Sequence, residues 1–417
     1  MEIPLRYGNT HFDLKFDPER FEVLGTQENL PALSDHEIGE KLDSPIGEKV
    51  ESLSKPGESF LIVVPDATRV SGCGQIVNLL VRRLIANGTM PYEINIIFAT
   101  GIHRKVTDSE KERILTPFIA QRIKTLDHDA KDLMQFVRLG ETMDGIPIEL
   151  NRNLMDFDHI IVIGGIGFHY FAGFGGGRKL ICPGLASSRT ISETHKLAFD
   201  FDKKCRREGV ATGVLHGNPV HEAFIEIVKK MPPSFLINTI VDNSGGILDL
   251  FCGDWIESHE EACREFSANH TIRIGEKRSV VVVSCGGSPH DLNLIQAHKA
   301  LEAAAYACQD GGKIIFIAKC ENGLGREDFL NWFDSKDSSD LAEKLCMKYQ
   351  VNGQTAWSIL KKTERFDIEI VTDLPDEEVE KIGFRKALNP AESIAQVSGK
   401  RGYIMPFGAK FKITTGG

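Results

Sequence analysis

Two histidines stand where acid–base chemistry could use them. His103 and His169 lie in the segments GIHRKVT and GIGFHYF, each beside glycine at the end of an apolar run. Imidazole can accept a proton near neutral pH and later return it. Inversion of a carbon centre requires two such groups on opposite sides of it. A lone histidine at a strand end is as often a structural hydrogen-bonding group, so the prediction depends on the pair.

A basic pair follows a tract rich in glycine. Arg178 and Lys179 come directly after the glycines at positions 173, 175, 176 and 177. Such a backbone can approach a ligand closely or cradle a phosphate, although the P-loop pattern GxxxxGK[ST] is absent. A lysine amine can also serve as a point of covalent attachment. The alternative interpretation is a solvated basic pair.

His195, in the segment SETHK, has the side chain of a metal ligand. Imidazole suits nickel, zinc or copper. The alternative is a histidine on the surface of a helix. The sequence contains neither HExxH nor paired cysteines, so a metal held by protein ligands alone would be incomplete. A metal here would need further ligands, such as those of a cofactor.

Polar residues elsewhere suggest substrate contacts. Arg69 offers a planar pair of donors for a carboxylate, and Asp66 and Thr68 could hold a ribose or a phosphate. The alternative for the last two is an ordinary turn in which they satisfy the local backbone. Gln296 and Lys299 lie three residues apart on a predicted helix and could share one face. Their alternative is an exposed face of that helix.

The elements that must position these residues are strands. Residues 59–64 are a continuous apolar run, and residues 93–100 and 159–167 are predominantly apolar; such runs are typical of strands buried on both faces of a parallel sheet. Ligands of such sheets bind beyond the carboxyl ends of the strands. If the three strands are near neighbours, one rim collects Asp66, Thr68, Arg69, His103, His169 and Lys179.

The rest of the chain alternates predicted strands with predicted helices, which indicates an α/β fold with parallel-rich sheets. Its length favours two domains. We assign residues 1–272 to an N-terminal catalytic and cofactor-binding domain and residues 273–400 to a C-terminal α/β domain. Residues 401–417 form a terminal segment that could return to the N-terminal domain.

Local patterns add detail to this outline. Thr107 and Glu110 resemble an N-capping box for a helix that runs through Leu115. The runs 235–242 and 246–253 suggest a hairpin. Residues 118–155 are interpreted as helical and polar.

Composition excludes several classes of protein. The net charge of -10 provides no basic field for nucleic acid or anionic membranes. No apolar run approaches the roughly 20 residues that span a bilayer, and no secretory signal is visible. The nine cysteines form no CxxC pair, which argues against a disulfide framework and a zinc ribbon. We expect a reduced, cytoplasmic enzyme whose thiols are mostly core residues.

At this point the sequence resembles the nickel-dependent lactate racemase family across most of its length. The matching blocks are PDATR (65–69), GIHRKVT (101–107), FHYFAGFGGGRK (168–179), SETHK (192–196) and the QxxK pattern of Gln296 and Lys299. The resemblance implies two α/β domains with the active site in the cleft between them. It also implies a nickel-pincer nucleotide, which is pyridinium-3-thioamide-5-thiocarboxylic acid mononucleotide carrying nickel.

The same resemblance implies a role for each matching residue. Lys179 would hold the nucleotide covalently through a thioamide, and His195 would be the protein ligand of the nickel. His103 and His169 would be the acid–base pair. The residues that would contact the nucleotide are Asp66, Ala67, Thr68 and Arg69. The residues that would contact the substrate are Arg69, Gln296 and Lys299.

The implied reaction is inversion of C2 of a 2-hydroxy acid by proton-coupled hydride transfer. Two positions depart from the lactate-specific members, which have a tyrosine where this chain has Ile295 and a tryptophan where it has Val351, although Trp357 is nearby. Both changes remove aromatic bulk. We therefore expect a substrate larger than lactate, such as a sugar acid or an aryl or branched hydroxy acid.

Other functions stay open. The chain could be a lactate racemase proper, a 2-hydroxy acid oxidoreductase on the same scaffold, or a non-catalytic carrier of the nucleotide. The presence of both His103 and His169 argues against the carrier. A zinc hydrolase is disfavoured because the protein ligands are missing. Expected partners are the small-molecule substrate and the enzymes that make the cofactor, but neither nucleic acid nor membrane. The oligomeric state is not predicted.

Overall fold

The computed structural model describes residues 1–25, 30–53, 55–397 and 399–416. Its strands, numbered in chain order, are β1 (Glu2–Tyr7), β2 (Thr10–Lys15), β3 (Phe21–Val23), β4 (Phe60–Pro65), β5 (Ile94–Ala99), β6 (Lys124–Leu126), β7 (Phe136–Glu141), β8 (Pro147–Asn151), β9 (His159–Gly165), β10 (Phe168–His169), β11 (Gly173–Phe174), β12 (Phe199–Asp200), β13 (Cys205–Arg206), β14 (Phe235–Val241), β15 (Ile247–Gly253), β16 (Thr271–Ile274), β17 (Arg278–Ser284), β18 (Cys308–Ile317), β19 (Asp367–Val371), β20 (Arg385–Ala387), β21 (Gly402–Met405) and β22 (Lys412–Thr415). Its α-helices are α1 (Asp35–Leu42), α2 (Val50–Leu53), α3 (Cys73–Ala86), α4 (Asp108–Leu115), α5 (Pro117–Arg122), α6 (Ser188–Lys196), α7 (Pro219–Val228), α8 (Glu257–His270), α9 (Leu294–Ala307), α10 (Ser338–Met347), α11 (Val351–Thr363), α12 (Asp376–Ile382) and α13 (Pro390–Ala395).

One compact unit comprises Glu28–Ala198 and Glu208–Phe266. Its main sheet has six strands in the order β15-β14-β9-β4-β5-β6. Neighbouring strands are parallel except for β14 and β15, which form the predicted antiparallel hairpin.

Strand β4 explains why apolar residues follow one another without interruption. Phe60, Ile62 and Val64 belong to one apolar core, and Leu61 and Val63 belong to another. Successive side chains of a strand point to opposite faces, so both faces of this sheet are covered.

The other compact unit comprises Met1–Gln27, Phe199–Arg207 and Ser267–Gly417. Its main sheet is entirely parallel and has the order β20-β19-β18-β17-β21-β3. The hairpin of β1 with β2 and the parallel pair of β16 with β22 complete its strands. The prediction of two α/β domains with parallel-rich sheets is confirmed.

The domain boundaries need correction at both termini. The prediction places residues 1–272 in one domain, but residues 1–25 pack in the C-terminal unit, where β3 extends the sheet by pairing with β21. In the terminal segment 401–417, the described residues 401–416 belong to the C-terminal unit, because β21 pairs with β17 and β22 pairs with β16. These pairings join positions that are distant in the chain, and the local pattern of a short strand does not specify its partner.

Most local predictions agree with the structure, and one does not. Thr107 caps α4 through the complete capping box with Glu110. Residues 118–155 are not mainly helical, since they contain β6 and the antiparallel pair of β7 with β8. Strand β7 has no fully buried residue, so it lacks the apolar run that identified the other strands.

Most of the cysteines are core residues, as predicted. All nine are free thiols and seven of them are buried. In the part of the chain that the structure describes, no helix is both long enough and apolar enough to cross a membrane.

Candidate functional site

The three strands that precede the chemically active segments are direct neighbours. Strand β4 lies between β5 and β9, and all three are parallel. Their carboxyl ends therefore meet at one edge of the sheet, which is where ligands of open α/β sheets bind. The prediction of a shared rim required these three strands to be near neighbours, and they are.

At the first two strand ends, a carboxylate holds an imidazole. His103 Nδ1 lies 2.6 Å from Asp66 Oδ2. Asp66 is buried, and burial alone would raise its pKa, but the hydrogen bond and charge of His103 and the charge of Arg69 hold that pKa well below its usual value. The ionised carboxylate accepts the Nδ1 proton and so leaves Nε2 as the nitrogen that can take up a proton.

The other oxygen of Asp66 organises its own turn. Its Oδ1 accepts hydrogen bonds from the Thr68 amide at 3.0 Å and from Thr68 Oγ1 at 2.6 Å. Ala67 is half-buried and Arg69 is exposed. The turn that we considered as an alternative is therefore present, and it orients the same carboxylate that holds His103.

At the third strand end, the ring of Phe171 lies among three predicted site residues. Its centroid is 4.3 Å from that of His169, 5.0 Å from that of His195 and 5.6 Å from Lys179 Nζ. Phe224 contacts the same group, at 6.0 Å from Lys179 Nζ and 6.2 Å from the His195 ring. The structure thus brings together an amine and two imidazoles that are separated in the sequence.

His195 is buried within α6 rather than exposed on a helix surface. Its Nδ1 lies 2.7 Å from the carbonyl oxygen of Ile191, one turn earlier. A proton on Nδ1 donates to that carbonyl, and Nε2 keeps a lone pair for a metal. Burial, helped by the charge of Lys179, lowers the pKa of His195 to about 4, so the ring is neutral at physiological pH.

The glycine tract is packed against the protein itself. A Cβ atom on Gly173 would lie 2.0 Å from the carbonyl oxygen of Val214, and one on Gly177 would lie 2.4 Å from the ring of His259. These glycines are therefore required by close packing within the chain. The interpretation of Arg178 as a solvated residue is wrong, because its side chain is only 1% exposed.

Gln296 and Lys299 share one face of α9, as their spacing predicted. Lys299 Nζ donates a hydrogen bond to Gln296 Oε1 at 2.7 Å. Both belong to the C-terminal unit. Trp357 is a core residue whose ring meets Phe199 at 5.2 Å, so it does not replace the aromatic residue missing at position 351.

The donor set fits a metal that brings ligands of its own. The described residues contain no group of three or more histidine, cysteine, aspartate or glutamate side chains suited to a metal ion. They do contain a neutral imidazole whose Nε2 can coordinate, beside the amine of Lys179. A cofactor tethered at the amine and supplying the remaining ligands matches this arrangement.

Sequence reasoning missed the aromatic residues of the site. Phe171 lay inside a quoted motif but carries no reactive group, and Phe224 belongs to α7, far along the chain. The signal for Phe171 was its place between a histidine and the glycine tract. Phe224 had no local signal, because its contact with the site depends on how α7 packs.

Comparison with known proteins agrees with this geometry. Residues 7–205 match the lactate racemase N-terminal domain and residues 275–403 match the lactate racemase C-terminal domain. A lactate racemase from Thermoanaerobacterium thermosaccharolyticum is 32% identical over 351 residues, covering 83% of this chain and 80% of that protein. A lactate racemase from Lactiplantibacillus plantarum is 32% identical over 318 residues, covering 75% and 73%.

Solved structures lead to the same conclusion. The lactate racemase apoprotein from Thermoanaerobacterium thermosaccharolyticum superimposes with a TM-score of 0.88 at 27% identity, covering 99% of this chain and all of that one. A protein from Thermotoga maritima shares the fold, with a TM-score of 0.72 at 20% identity, covering 94% of this chain and 100% of that one. The predicted family, and with it the prediction of an isomerase, is confirmed: the chain belongs to the lactate racemase family.

Proposed function

We propose that this protein is a racemase or epimerase that inverts C2 of a 2-hydroxy acid. The observation that carries the proposal is a carboxylate-held imidazole, His103, at the end of β5, on the sheet edge where β9 leads into the segment that brings His169, Lys179 and His195 around a single aromatic ring. Membership of the lactate racemase family supports the reaction class.

The proposed cofactor is the nickel-pincer nucleotide of that family. Lys179 would hold it covalently, and His195 Nε2 would be the protein ligand of nickel. Two observations support this assignment: the amine lies beside the imidazole, and Nδ1 of that imidazole is already engaged by a carbonyl. When bound, the group supplies a site that accepts the C2 hydride of the substrate and returns it.

The side chains of the protein would move the proton and hold the substrate. His103 Nε2 would take the hydroxyl proton of one configuration, and His169 would serve the other. The exposed guanidinium of Arg69 offers two parallel N–H donors for the substrate carboxylate. Gln296 and Lys299 are the further substrate contacts that we propose. Both oxygens of Asp66 are engaged, so we propose that it positions His103 as well as bordering the nucleotide with Ala67 and Thr68.

The proposed substrate is larger than lactate. Ile295 and Val351 occupy positions where aromatic side chains stand in lactate-specific members. Ile295 is half-buried against the apolar core of the C-terminal unit, and Val351 is the first residue of α11. A screen of 2-hydroxy acids of increasing length tests this point, and faster turnover of lactate than of every longer acid would contradict it.

The test of function begins with protein produced together with the cofactor-making enzymes. We expect an intact-mass increase, one nickel per adduct and loss of optical purity in a 2-hydroxy acid. Lys179→Ala should abolish the mass increase and the activity. Lys230→Ala is the matched control, because Lys230 is exposed on the same unit. An adduct that survives Lys179→Ala would place the anchor elsewhere.

Two alternatives have their own readouts. An oxidoreductase on this scaffold would accumulate keto acid in the presence of an external electron acceptor, whereas a racemase would not. A non-catalytic carrier would load the nucleotide but leave every 2-hydroxy acid unchanged. The His103–Asp66 hydrogen bond favours the enzyme, since a carrier has no use for an oriented base.

We also propose a cytoplasmic location. The support is the nine free thiols, seven of them buried, in a chain without disulfides. Loading would make the cofactor-biosynthesis enzymes transient partners. Fractionation of cells that express the protein at its natural level would test the location.

A further inference from the structure

Arg178 is a buried cation whose role is not covered by the proposed mechanism. Its side chain is 1% exposed, and no carboxylate of the described residues forms an ion pair with it. Its Nε has no hydrogen-bond partner among those residues. Burying a charge without a counter-charge is unfavourable. An unfavourably buried guanidinium is expected to have a role beyond filling space, such as holding other groups through its hydrogen bonds.

The guanidinium holds the segment that carries the site. Nη2 donates to the carbonyl oxygen of Ala172 at 3.0 Å, and Nη1 lies 2.8 Å from His259 Nε2. Burial and the charge of Arg178 hold the pKa of His259 well below its usual value, so this ring is neutral. Because a guanidinium can only donate, His259 Nε2 accepts from Nη1 and has no proton for the carbonyl oxygen of Gly175, which lies 3.0 Å away. Arg178 is therefore fixed between α8 and the loop that follows β10.

Ala172 links the Arg178 guanidinium to His169, the second residue of the proposed acid–base pair. Its amide donates a hydrogen bond to His169 Nδ1 at 3.3 Å, while its carbonyl accepts the hydrogen bond from Arg178. A ring nitrogen that accepts a hydrogen bond carries no proton. Neutral His169 therefore has its proton on Nε2.

We propose that Arg178 is a positioning residue that, by holding Ala172, keeps His169 in the Nε2–H tautomer, opposite to that of His103. This inference rests on the proposed function, in which both rings meet the substrate. His103 donates a hydrogen bond from Nδ1–H to Asp66 and offers an Nε2 lone pair. The two imidazoles thus start in different states.

The difference has a chemical consequence. When the substrate hydroxyl faces His103, its O–H bond breaks and an N–H bond forms at Nε2. His169 cannot accept a proton at Nε2 until its own proton has moved to Nδ1. That move requires the contact with the Ala172 amide to break. The resting protein is therefore prepared for one configuration, and Arg178 maintains that preference.

The decisive measurement uses the wild-type chain. Histidine labelled with ¹⁵N, followed by long-range proton–nitrogen correlation spectroscopy, reports which ring nitrogen is protonated. His169→Gln and His103→Gln assign the two sets of signals. We expect Nε2–H for His169 and Nδ1–H for His103. The Nδ1–H tautomer at His169, or the same tautomer in both rings, would overturn the proposal.

A variant pair then tests the role of Arg178. Arg178→Lys keeps a positive charge but loses the two Nη groups that bond Ala172 and His259. Arg82→Lys is the control, because Arg82 is exposed on α3. We expect Arg178→Lys to mix the tautomers of His169 and to lower kcat per adduct-bearing molecule on the order of tenfold to a hundredfold, with KM little changed. An unchanged tautomer and unchanged kcat would refute the role.

These outcomes are distinguishable from failure of the proposed function. If loaded wild-type protein racemises no 2-hydroxy acid although the tautomers are as expected, the function is wrong and the positioning by Arg178 stands. If Arg178→Lys does not fold, the wild-type spectrum still decides the tautomers. Racemase activity with the wrong tautomer at His169 would remove only the inference about Arg178.

Discussion

The hydrogen bond between Asp66 and His103 determines what that imidazole can do. A carboxylate on Nδ1 fixes the ring orientation and the tautomer, so that Nε2 carries the lone pair. The low pKa of Asp66 keeps the carboxylate ionised at every pH at which the protein is expected to work. The contact is therefore a permanent feature of the site.

We expect Asp66→Asn to lower kcat on the order of tenfold to a hundredfold, the usual effect of removing a partner that orients a functional histidine. Asp242→Asn is a closely matched control. Asp242 Oδ1 accepts hydrogen bonds from the Ser244 amide and hydroxyl, as Asp66 Oδ1 does from Thr68, but it holds no histidine. Steady-state kinetics on loaded protein would show the difference, and equal losses in both variants would mean that only the turn matters.

The second prediction at this scale concerns His195. Its Nε2 is the proposed nickel ligand, so His195→Ala should lower the nickel bound per adduct while the adduct mass stays. Elemental analysis of desalted protein measures the ratio. His36→Ala is the control, because the His36 side chain is 81% exposed. Nickel content that is the same in both variants would count against the ligand assignment.

At the scale of elements, the glycine tract shows how packing constrains the loop that presents Lys179. Gly177 has φ of +50° and its α-carbon faces the ring of His259. Both conditions exclude a side chain. The short 3-10 turn Gly177–Leu180 that begins there sets the position of the lysine amine.

Gly177→Ala should destabilise the protein by about 1–3 kcal/mol, because the new methyl group overlaps a ring and the backbone is strained. Gly217→Ala separates the two effects. Gly217 also has positive φ, at +74°, but a Cβ atom there meets nothing within 4 Å. Urea denaturation would measure both variants. If they lose the same stability, strain accounts for the whole effect and the contact with His259 does not.

At the scale of the whole molecule, buried histidines make the stability depend on pH. Burial lowers the pKa of His128 to about 4 and that of His221 and His298 to about 3, and it holds the pKa of His259 well below its usual value. Unfolded histidine binds a proton near pH 6.5. Below that pH the unfolded chain binds more protons than the folded one, so stability falls as pH falls.

We expect the apoprotein to lose about 1 kcal/mol for each of these histidines between neutral pH and about pH 5.5. Urea midpoints at the two pH values would show the loss. Carboxylates with lowered pKa act only below about pH 5, and Asp291, whose pKa burial raises, acts in the opposite direction. His128→Gln should reduce the pH dependence and His36→Gln should not. A midpoint that stays constant would contradict the prediction.

The sequence was sufficient for much of this description. Buried strands, the hairpin of β14 with β15 and the cap of α4 follow from local patterns, because apolar periodicity and capping act over a few residues. The grouping of the chemically active segments at strand ends followed as well. That grouping needed only the rule that parallel strands share an edge.

Tertiary structure decided the rest, for one physical reason: burial and pairing join residues that are distant in the chain. The sequence could not specify that β3 pairs with β21, that Arg178 is buried, or that Phe224 contacts Lys179 and His195. Residue type determined which chemistry was available to this protein. Packing between distant segments determined which of these side chains meet, as when Asp66 holds His103.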